Sequence, residues 1–237
     1  DKVYSYIPDC TDLPIRADAD YLYFCKNNTI YGTVFHETPN AKGKTLVADV
    51  SSCFLSAPEK VTDYGILWGG VQKNVGPAGM AIAVVREDLI GDCLPGTPTM
   101  LRYETYAAHG SLYNTPPCYN IYICGKVFRW IKEIGGLAAM QKRNEEKAAL
   151  LYDFLDQSKL FSNPVRREDR SVMNVTFVTG NAALDKKFVE EAKAAGLENL
   201  KGHRTVGGMR ASLYNAMPKE GVQRLVDFMA AFEKREA

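Results

Sequence analysis

The sequence predicts an α/β fold built from two domains. In the first half, three short apolar segments at 45–50, 65–70 and 81–87 are typical of buried strands. In the C-terminal third, strand-like segments alternate with amphipathic helices, which is the pattern of a small α/β domain with its helices on one side of a sheet. We place the first domain at residues 1–143 and the second at residues 144–237.

Composition indicates a globular protein and limits its partners. Of the 237 residues, 46% are hydrophobic and 24% are charged. No apolar run approaches the ~20 residues of a membrane-spanning helix, and the first residues lack the basic start and apolar core of a signal peptide. The 29 basic and 28 acidic residues form no basic block. We therefore expect small molecules or other protein chains as partners, with no nucleic acid and no membrane.

The cysteines and histidines favour a reduced compartment without a metal site. None of the six cysteines forms a CxxC pair, and the three histidines lie far apart in the sequence. We expect free thiols, a cytoplasmic protein and no bound metal.

The first half of the chain opens with two aromatic and β-branched segments, 21–27 and 31–37. They predict two strands joined by a turn that contains Thr29. A hydroxyl group in such a turn typically caps it. The strand at 45–50 follows, then a short helical segment opened by Pro58, and then the two remaining apolar strands.

The middle of the chain predicts an irregular segment followed by two helices. Residues 92–112 are rich in Gly, Pro, Tyr and Thr without a helical period, so we expect an extended excursion over the surface. Apolar residues recur at helical spacing between 121 and 134, and Asn114 or Thr115 can cap this helix. A second helix at 137–157 is expected to bridge the two domains.

The C-terminal domain is predicted as strand, helix, strand and helix. These elements lie at 171–179, 183–196, 209–215 and 219–236. Arg210 stands on the second strand, where an arginine is usually exposed or paired.

One lysine has an unusual setting. Lys73 lies in ILWGGVQKNVGPAGM (66–80), between an apolar, glycine-rich strand and a second glycine-rich turn. Desolvation disfavours the charged form of an amine, and a neutral lysine amine can attack a carbonyl group. A lysine with a buried stem on a surface loop explains this stretch equally well.

An aspartate upstream gives the lysine a partner. Asp49 ends the strand 45–50, and in open α/β sheets ligands collect at the carboxyl edge of the strands. An aldehyde cofactor with a basic ring nitrogen needs a lysine to bind it covalently and a carboxylate to keep the nitrogen protonated. Asp49 and Lys73 together indicate pyridoxal phosphate.

Longer motifs resemble a known family. Residues 48–91, ADVSSCFLSAPEKVTDYGILWGGVQKNVGPAGMAIAVVREDLIG, with YNTPP (113–117) and KGHRTVGGMRASLYNAMP (201–218), closely resemble the phosphoserine aminotransferases, which are fold-type I pyridoxal phosphate enzymes of aminotransferase class V. The similarity runs from about Tyr21 to the C-terminus. It implies that the first domain is the C-terminal part of a large mixed-sheet α/β domain. The N-terminal third of the family's chain would be absent, as a lost segment or a separate chain.

The resemblance implies how the cofactor is held. Lys73 would carry it and move a proton, and Asp49 would keep its ring nitrogen protonated. Further cofactor ligands would be Thr29, Gln72, Asn114 and Thr115. The last two would come from the neighbouring subunit of a homodimer with shared active sites.

The resemblance also implies how a substrate is bound. His203 and Arg204, on a glycine-flanked loop, would bind a phosphate group, and Arg210 would grip the carboxylate that every α-amino acid carries. Guanidinium groups are suited to both tasks because they present a fixed fork of donors. Taken without the resemblance, His203 and Arg204 are more typical of a solvated loop.

The implied reaction is transamination between 3-phosphohydroxypyruvate and glutamate, giving O-phosphoserine and 2-oxoglutarate in serine biosynthesis. 4-Phosphohydroxy-threonine, of pyridoxine biosynthesis, is a further candidate substrate. Two alternatives stay open. A cysteine desulfurase shares the fold but needs a reactive cysteine in the C-terminal region, and no cysteine follows Cys124. The other alternative is an inert fragment or a binding module that kept the fold.

Overall fold

The computed structural model describes residues 4–236, which form eight strands and five α-helices. The strands are β1 (Tyr21–Cys25), β2 (Asn27–Asn28), β3 (Thr33–Val34), β4 (Thr45–Asp49), β5 (Ile66–Gly70), β6 (Ala81–Val85), β7 (Asn174–Phe177) and β8 (Met209–Ser212). The helices are α1 (Tyr103–Ala108), α2 (Cys118–Glu133), α3 (Gly136–Gln157), α4 (Ala182–Ala194) and α5 (Lys219–Glu236).

The larger sheet is mixed, as the resemblance implied. Its strands lie in the order β1-β4-β5-β6. Strands β1, β4 and β5 are parallel, whereas β6 runs antiparallel to β5. The carboxyl ends of the three parallel strands therefore meet at one edge of the sheet.

The two faces of this sheet differ in burial. Side chains alternate between faces along a strand, and Phe24, Leu46, Ala48 and Leu67 lie buried in one apolar cluster. On the opposite face, Tyr21 and Tyr23 remain 57% and 50% exposed. A residue paired with its neighbour in register shares its face, so Cys25, Asp49 and Trp68 stand side by side at the carboxyl edge of this second face.

The C-terminal domain has its own apolar core. Strands β7 and β8 pair antiparallel, and α3 packs against both α5 and β7. Four phenylalanines, Phe161, Phe177, Phe188 and Phe232, are at most 2% exposed and meet largely edge to face, an arrangement that aromatic rings prefer. The two apolar clusters agree with two domains, but the division at 143/144 falls inside α3 and stays a prediction.

Buried asparagines join the two parts of the chain. Asn27, 1% exposed, donates from Nδ2 to Ser52 Oγ (2.7 Å) and to Asn174 Oδ1 (2.9 Å), and it accepts from Ser171 Oγ (2.5 Å). Buried polar groups are stable when their hydrogen bonds are satisfied. The β2–β3 hairpin is thereby fixed between the end of β4 and the C-terminal domain.

Two predicted local structures are wrong. The segment 92–112 contains a short 3₁₀-helix, Thr99–Leu101, and helix α1. A six-residue helix makes fewer than two turns, so its sequence carries too little periodicity to be recognised. The helix expected near Pro58 is a three-residue 3₁₀-helix at Val61–Asp63.

The predicted cap of α2 is also wrong. The helix begins at Cys118 with Pro117 at the N-cap position and no side-chain cap. The amide of Asn114 donates instead to the carbonyl oxygen of Thr115 (3.2 Å). Two prolines between these residues and the helix place them too far from its first free N–H groups.

Membrane-spanning helices, metal-binding clusters and disulfides would each indicate a particular class of protein. Within residues 4–236, no helix is long and apolar enough to cross a membrane. The same residues contain no group of three or more His, Cys, Asp or Glu side chains arranged to hold a metal ion. All six cysteines are free thiols.

Candidate active site

Lys73 follows β5 and points its amine at the β2–β3 turn. Its Nζ donates a hydrogen bond of 2.6 Å to Thr29 Oγ1. Burial lowers the pKa of Lys73, the carboxylate of Asp49 opposes this, and the charge of Arg210 adds to it. Three of the residues singled out in the sequence therefore act on this one amine.

Asp49 is held at the carboxyl edge of the sheet by the chain that follows it. Its Oδ1 accepts from the backbone N–H of Ser51 (2.8 Å), and Ser51 Oγ accepts from the N–H of Gly70 (3.0 Å). The ends of β4 and β5 are thus tied together. The carboxylate of Asp49 and the loop that carries Lys73 lie at one place because the two strands are parallel neighbours.

Thr29 is positioned by a tight polar turn. The Oδ1 atom of Asn28 accepts from the backbone N–H groups of Ile30 (3.0 Å) and Tyr31 (3.2 Å). Gly32 has a φ of +77°, and a Cβ there would lie 2.7 Å from the carbonyl oxygen of Asn174. The turn is therefore packed closely against the C-terminal domain, with no room for a side chain at position 32.

Arg210 reaches the site from β8. It stands opposite Thr176 in the β7–β8 pair, and its Nε atom is buried without a hydrogen-bond partner among the described residues. An unpaired buried donor on a charged group is rare in folded proteins. A guanidinium close enough to lower the pKa of Lys73 thus has a buried Nε that is unpaired within the described residues.

Gln72 is exposed and folds back over the strand before it. A Cβ placed at Gly70 would meet Gln72 Oε1 at 2.5 Å, so the amide lies directly on that glycine. This places a neutral polar group at the end of β5, on the residue that precedes Lys73 in sequence.

Asn114 and Thr115 are not brought to Lys73 within the chain. Asn114 lines a separate cavity of about 730 Å³ with residues of β6 and α1, including Ala83 and Tyr106. Helix α2, which follows them, contacts the lysine loop through Asn120, whose Nδ2 donates to the carbonyl oxygens of Pro77 (3.1 Å) and Ala78 (2.7 Å). A role for Asn114 and Thr115 at Lys73 therefore needs a second subunit.

His203 and Arg204 lie on the loop that leads into β8. His203 Nδ1 and Thr205 Oγ1 are 2.8 Å apart, and Arg204 is exposed. The loop joins β8 through the Gly202 N–H, which donates to the carbonyl oxygen of Gly208 (2.8 Å). The loop runs directly into β8, the strand that carries Arg210, and this connection links it to the site.

Residues that complete the site were not singled out from the sequence. Cys25 pairs with Asp49 in the sheet, and Asn27 fixes the turn that carries Thr29. Strand register is the signal for Cys25, and it needs the pairing of β1 with β4 to be known. No local pattern in the sequence marks Asn27, because its partners are 25 and 147 residues away.

The fold and the site agree with one protein family. Residues 7–225 match the model of the aminotransferase class-V family, and the chain belongs to that family. It is 56% identical over 220 residues to the phosphoserine aminotransferase of Lactiplantibacillus plantarum, covering 93% of this chain and 61% of the relative. It is 51% identical over 232 residues to the phosphoserine aminotransferase of Listeria monocytogenes, covering 98% and 63%.

Solved structures give the same result. The phosphoserine aminotransferase of Bacillus circulans subsp. alkalophilus superimposes with a TM-score of 0.92 at 43% identity, covering 94% of this chain and 62% of that one. A pyridoxal-phosphate-bound phosphoserine aminotransferase from Trichomonas vaginalis gives 0.87 at 39% identity, covering 91% and 61%. These structures confirm the predicted fold-type I class. The chain spans less than two thirds of the length of these relatives.

Proposed function

We propose that this chain is the lysine-bearing part of a pyridoxal-phosphate-dependent aminotransferase of the phosphoserine type. The reaction is transamination between 3-phosphohydroxypyruvate and glutamate, giving O-phosphoserine and 2-oxoglutarate. The observation that carries the proposal is the setting of Lys73, which is partly desolvated, bonded to Thr29 and acted on by Asp49 and Arg210. The identity of 56% to a phosphoserine aminotransferase supports the choice of substrate.

The residues present fit the cofactor. A lysine amine of lowered pKa suits an aldehyde carbon, and a carboxylate at a sheet edge suits a basic ring nitrogen. Thr29 and Gln72 supply neutral polar groups on either side of Lys73. When bound, pyridoxal phosphate supplies an electron-withdrawing ring that stabilises negative charge on the substrate's α-carbon.

Three residues of the site then have defined roles in the reaction. The amine of Lys73 removes and returns the proton at the α-carbon, and its lowered pKa raises the fraction of free base available for this step. Asp49 keeps a proton on the ring nitrogen. The guanidinium of Arg210 binds the substrate carboxylate, and a two-point contact of this kind also orients the α-carbon towards Lys73.

Phosphate recognition is assigned to the loop before β8. His203 is half-buried and Arg204 is exposed on a glycine-rich loop, so both side chains are free to turn towards an anion. On the same reasoning the proposal includes 4-phosphohydroxy-threonine as a second substrate, since it carries the same phosphate and carboxylate.

A homodimer with shared sites is part of the proposal. Several large apolar side chains between 94 and 122 are strongly exposed, among them Leu94 (80%), Leu101 (74%) and Tyr119 (69%). Large apolar side chains exposed together in one stretch of chain are expected at an interaction site. A partner subunit on this surface would bring its Asn114 and Thr115 to the cofactor phosphate. We further propose the domain division 1–143 and 144–237, a segment or chain that completes the large domain, and a cytoplasmic location.

The deciding experiment concerns Lys73. The protein is incubated with pyridoxal phosphate, reduced with borohydride and digested, and the peptides are weighed. We expect a pyridoxyl mass on Lys73 in the unaltered protein and none on the corresponding peptide of Lys73→Ala. The control is Lys126→Ala, a change on the exposed side of α2, which should be labelled like the unaltered protein. A pyridoxyl mass on another lysine, with none on Lys73, would overturn the assignment.

A further inference from the structure

A second lysine is buried away from Lys73 and is not used by the proposed mechanism. Lys147, on α3, is only 3% exposed, and its Nζ donates to the carbonyl oxygens of Leu213 (3.1 Å) and Tyr214 (2.8 Å). Burial lowers the pKa of Lys147 to about 8, and Arg143 on the same helix adds to this. An ammonium group bonded to backbone carbonyls rather than to a carboxylate destabilises the fold relative to an apolar side chain.

The preceding turn of α3 contacts the same segment. Asn144, fully buried, donates from Nδ2 to Asn215 Oδ1 (2.9 Å) and to the carbonyl oxygen of Ser56 (3.0 Å). Residues three apart on a helix lie on one face, so Asn144 and Lys147 act together. Two side chains of α3 therefore fix the three residues 213–215.

Segment 213–215 connects the two halves of the candidate site. It directly follows β8, which carries Arg210. Its Asn215 N–H donates to Asn74 Oδ1 (3.0 Å), and Asn74 is the neighbour of Lys73 in sequence. A shift of the segment would thus change the distance between the guanidinium and the amine.

Lys147 is suited to this task by its length and its donors. The backbone leaves strand pairing after Ser212, so the carbonyl group of Leu213 needs a donor from elsewhere, whereas that of Tyr214 also accepts from the N–H of Met217 (2.8 Å). One ammonium group has three donors on a four-carbon stem and serves both carbonyls from the neighbouring helix.

We propose that Lys147, together with Asn144, is a positioning residue that fixes segment 213–215 and so sets where Arg210 lies relative to Lys73. The inference rests on the proposed function, in which Arg210 binds the substrate carboxylate. Loss of the two hydrogen bonds should loosen substrate binding and leave proton transfer at Lys73 largely intact.

The test compares Lys147→Met with Lys142→Met, a matched change of an exposed lysine on the same helix. In Lys147→Met we expect the amides of 209–215 to exchange hydrogen ~10-fold faster than in the protein, with those of 182–194 unchanged. We expect KM for glutamate to rise ~10-fold while kcat changes less than ~3-fold. Lys147→Gln, which keeps an amide donor, should fall between the two.

Three results would overturn the proposal. The first is that Lys147→Met has the same amide hydrogen-exchange rates at 209–215 and the same KM for glutamate as Lys142→Met. The second is faster exchange throughout the C-terminal domain, 182–194 included, which would make Lys147 a general stabiliser. The third is a fall in kcat at constant KM. If the protein has no transaminase activity even with the segment that completes the large domain, the proposed function fails by itself, and exchange at 209–215 alone decides whether Lys147 fixes the segment.

Discussion

The amine of Lys73 donates a 2.6 Å hydrogen bond to Thr29 Oγ1, across 44 residues of sequence. The bond joins a loop after the third parallel strand to a turn that the C-terminal domain holds in place. Both ends of the bond are therefore set by tertiary contacts, and neither residue reaches the other through local structure.

Thr29→Val should lower the pKa of Lys73 further. The hydroxyl oxygen accepts a hydrogen bond from the ammonium form, and a net contribution of about 1 kcal/mol corresponds to somewhat less than one pH unit. The titration of Lys73 in cofactor-free protein, followed by NMR of the dimethylated amine, measures this. Thr29→Ser keeps the hydroxyl and should behave as the protein does. A rise in the Lys73 pKa in Thr29→Val would contradict the role of the bond.

Arg210→Ala should weaken the binding of carboxylate substrates by ~2–4 kcal/mol, the range for truncating one partner of a desolvated charge pair. The loss should be the same for glutamate and for phosphoserine, because both carry an α-carboxylate. Calorimetric titration gives both affinities. An unchanged affinity for glutamate would remove Arg210 from the site.

Arg204→Ala should weaken the binding of phosphoserine but not that of serine. We expect phosphoserine to bind ~10-fold more weakly or worse, since a charge-assisted contact to phosphate is lost, and serine to bind as before. The comparison of the two ligands in one variant is its own control. Equal losses for both would assign Arg204 a structural role in the loop before β8.

Subunit mixing tests the shared site. A Lys73→Ala protein is exchanged with an Asn114→Ala, Thr115→Ala protein, so that mixed dimers hold one site with both lesions and one with neither. Activity should rise above that of either parent, and the interface should exceed the ~2,000 Å² typical of permanent dimers. Demonstrated exchange with activity at the parental level would leave Asn114 and Thr115 without a role at Lys73.

Lys147 gives the stability of the fold a characteristic pH dependence. Its pKa is about 8 in the folded chain against 10.5 ordinarily, so between these values the unfolded chain binds a proton that the folded chain does not. Stability from this group therefore rises with pH across that window. Relative to Lys147→Met, the free energy of unfolding of the protein should increase by about 3 kcal/mol from below pH 8 to above pH 10. Denaturant titrations that give the same difference at both ends would show that Lys147 titrates normally.

Much of the fold follows from local patterns. Helix α5 occupies the predicted residues 219–236. Its long amphipathic pattern indicates both which face is buried and where the helix begins and ends. Helix α3 differs from prediction by one residue at its start. By contrast α1, with six residues, carries no usable period, and the predicted cap at Asn114 ignored the two prolines that separate it from α2.

The candidate site was predictable in part. Asp49 and Lys73 follow apolar strands, and parallel neighbours bring their ends together, so the pair can be derived from strand order alone. The approach of Arg210 to Lys73 depends on how two domains pack, which no pattern in either segment encodes. The hydrogen-bond partners of Lys147 could not be predicted either, because they are backbone carbonyl groups, which have no sequence signature.

The hydrogen bond between Asn27 and Asn174 has a consequence for the order of events during synthesis. Its two residues are 147 apart, and the turn with Thr29 depends on it for its seat. The ribosome releases the strands around Asp49 and Lys73 long before β7. Until β7 emerges, the growing chain has a lysine and an aspartate at a sheet edge but no fixed hydroxyl to hold the amine. Cofactor offered to the nascent chain should therefore be retained only after the C-terminal domain has closed over the hairpin.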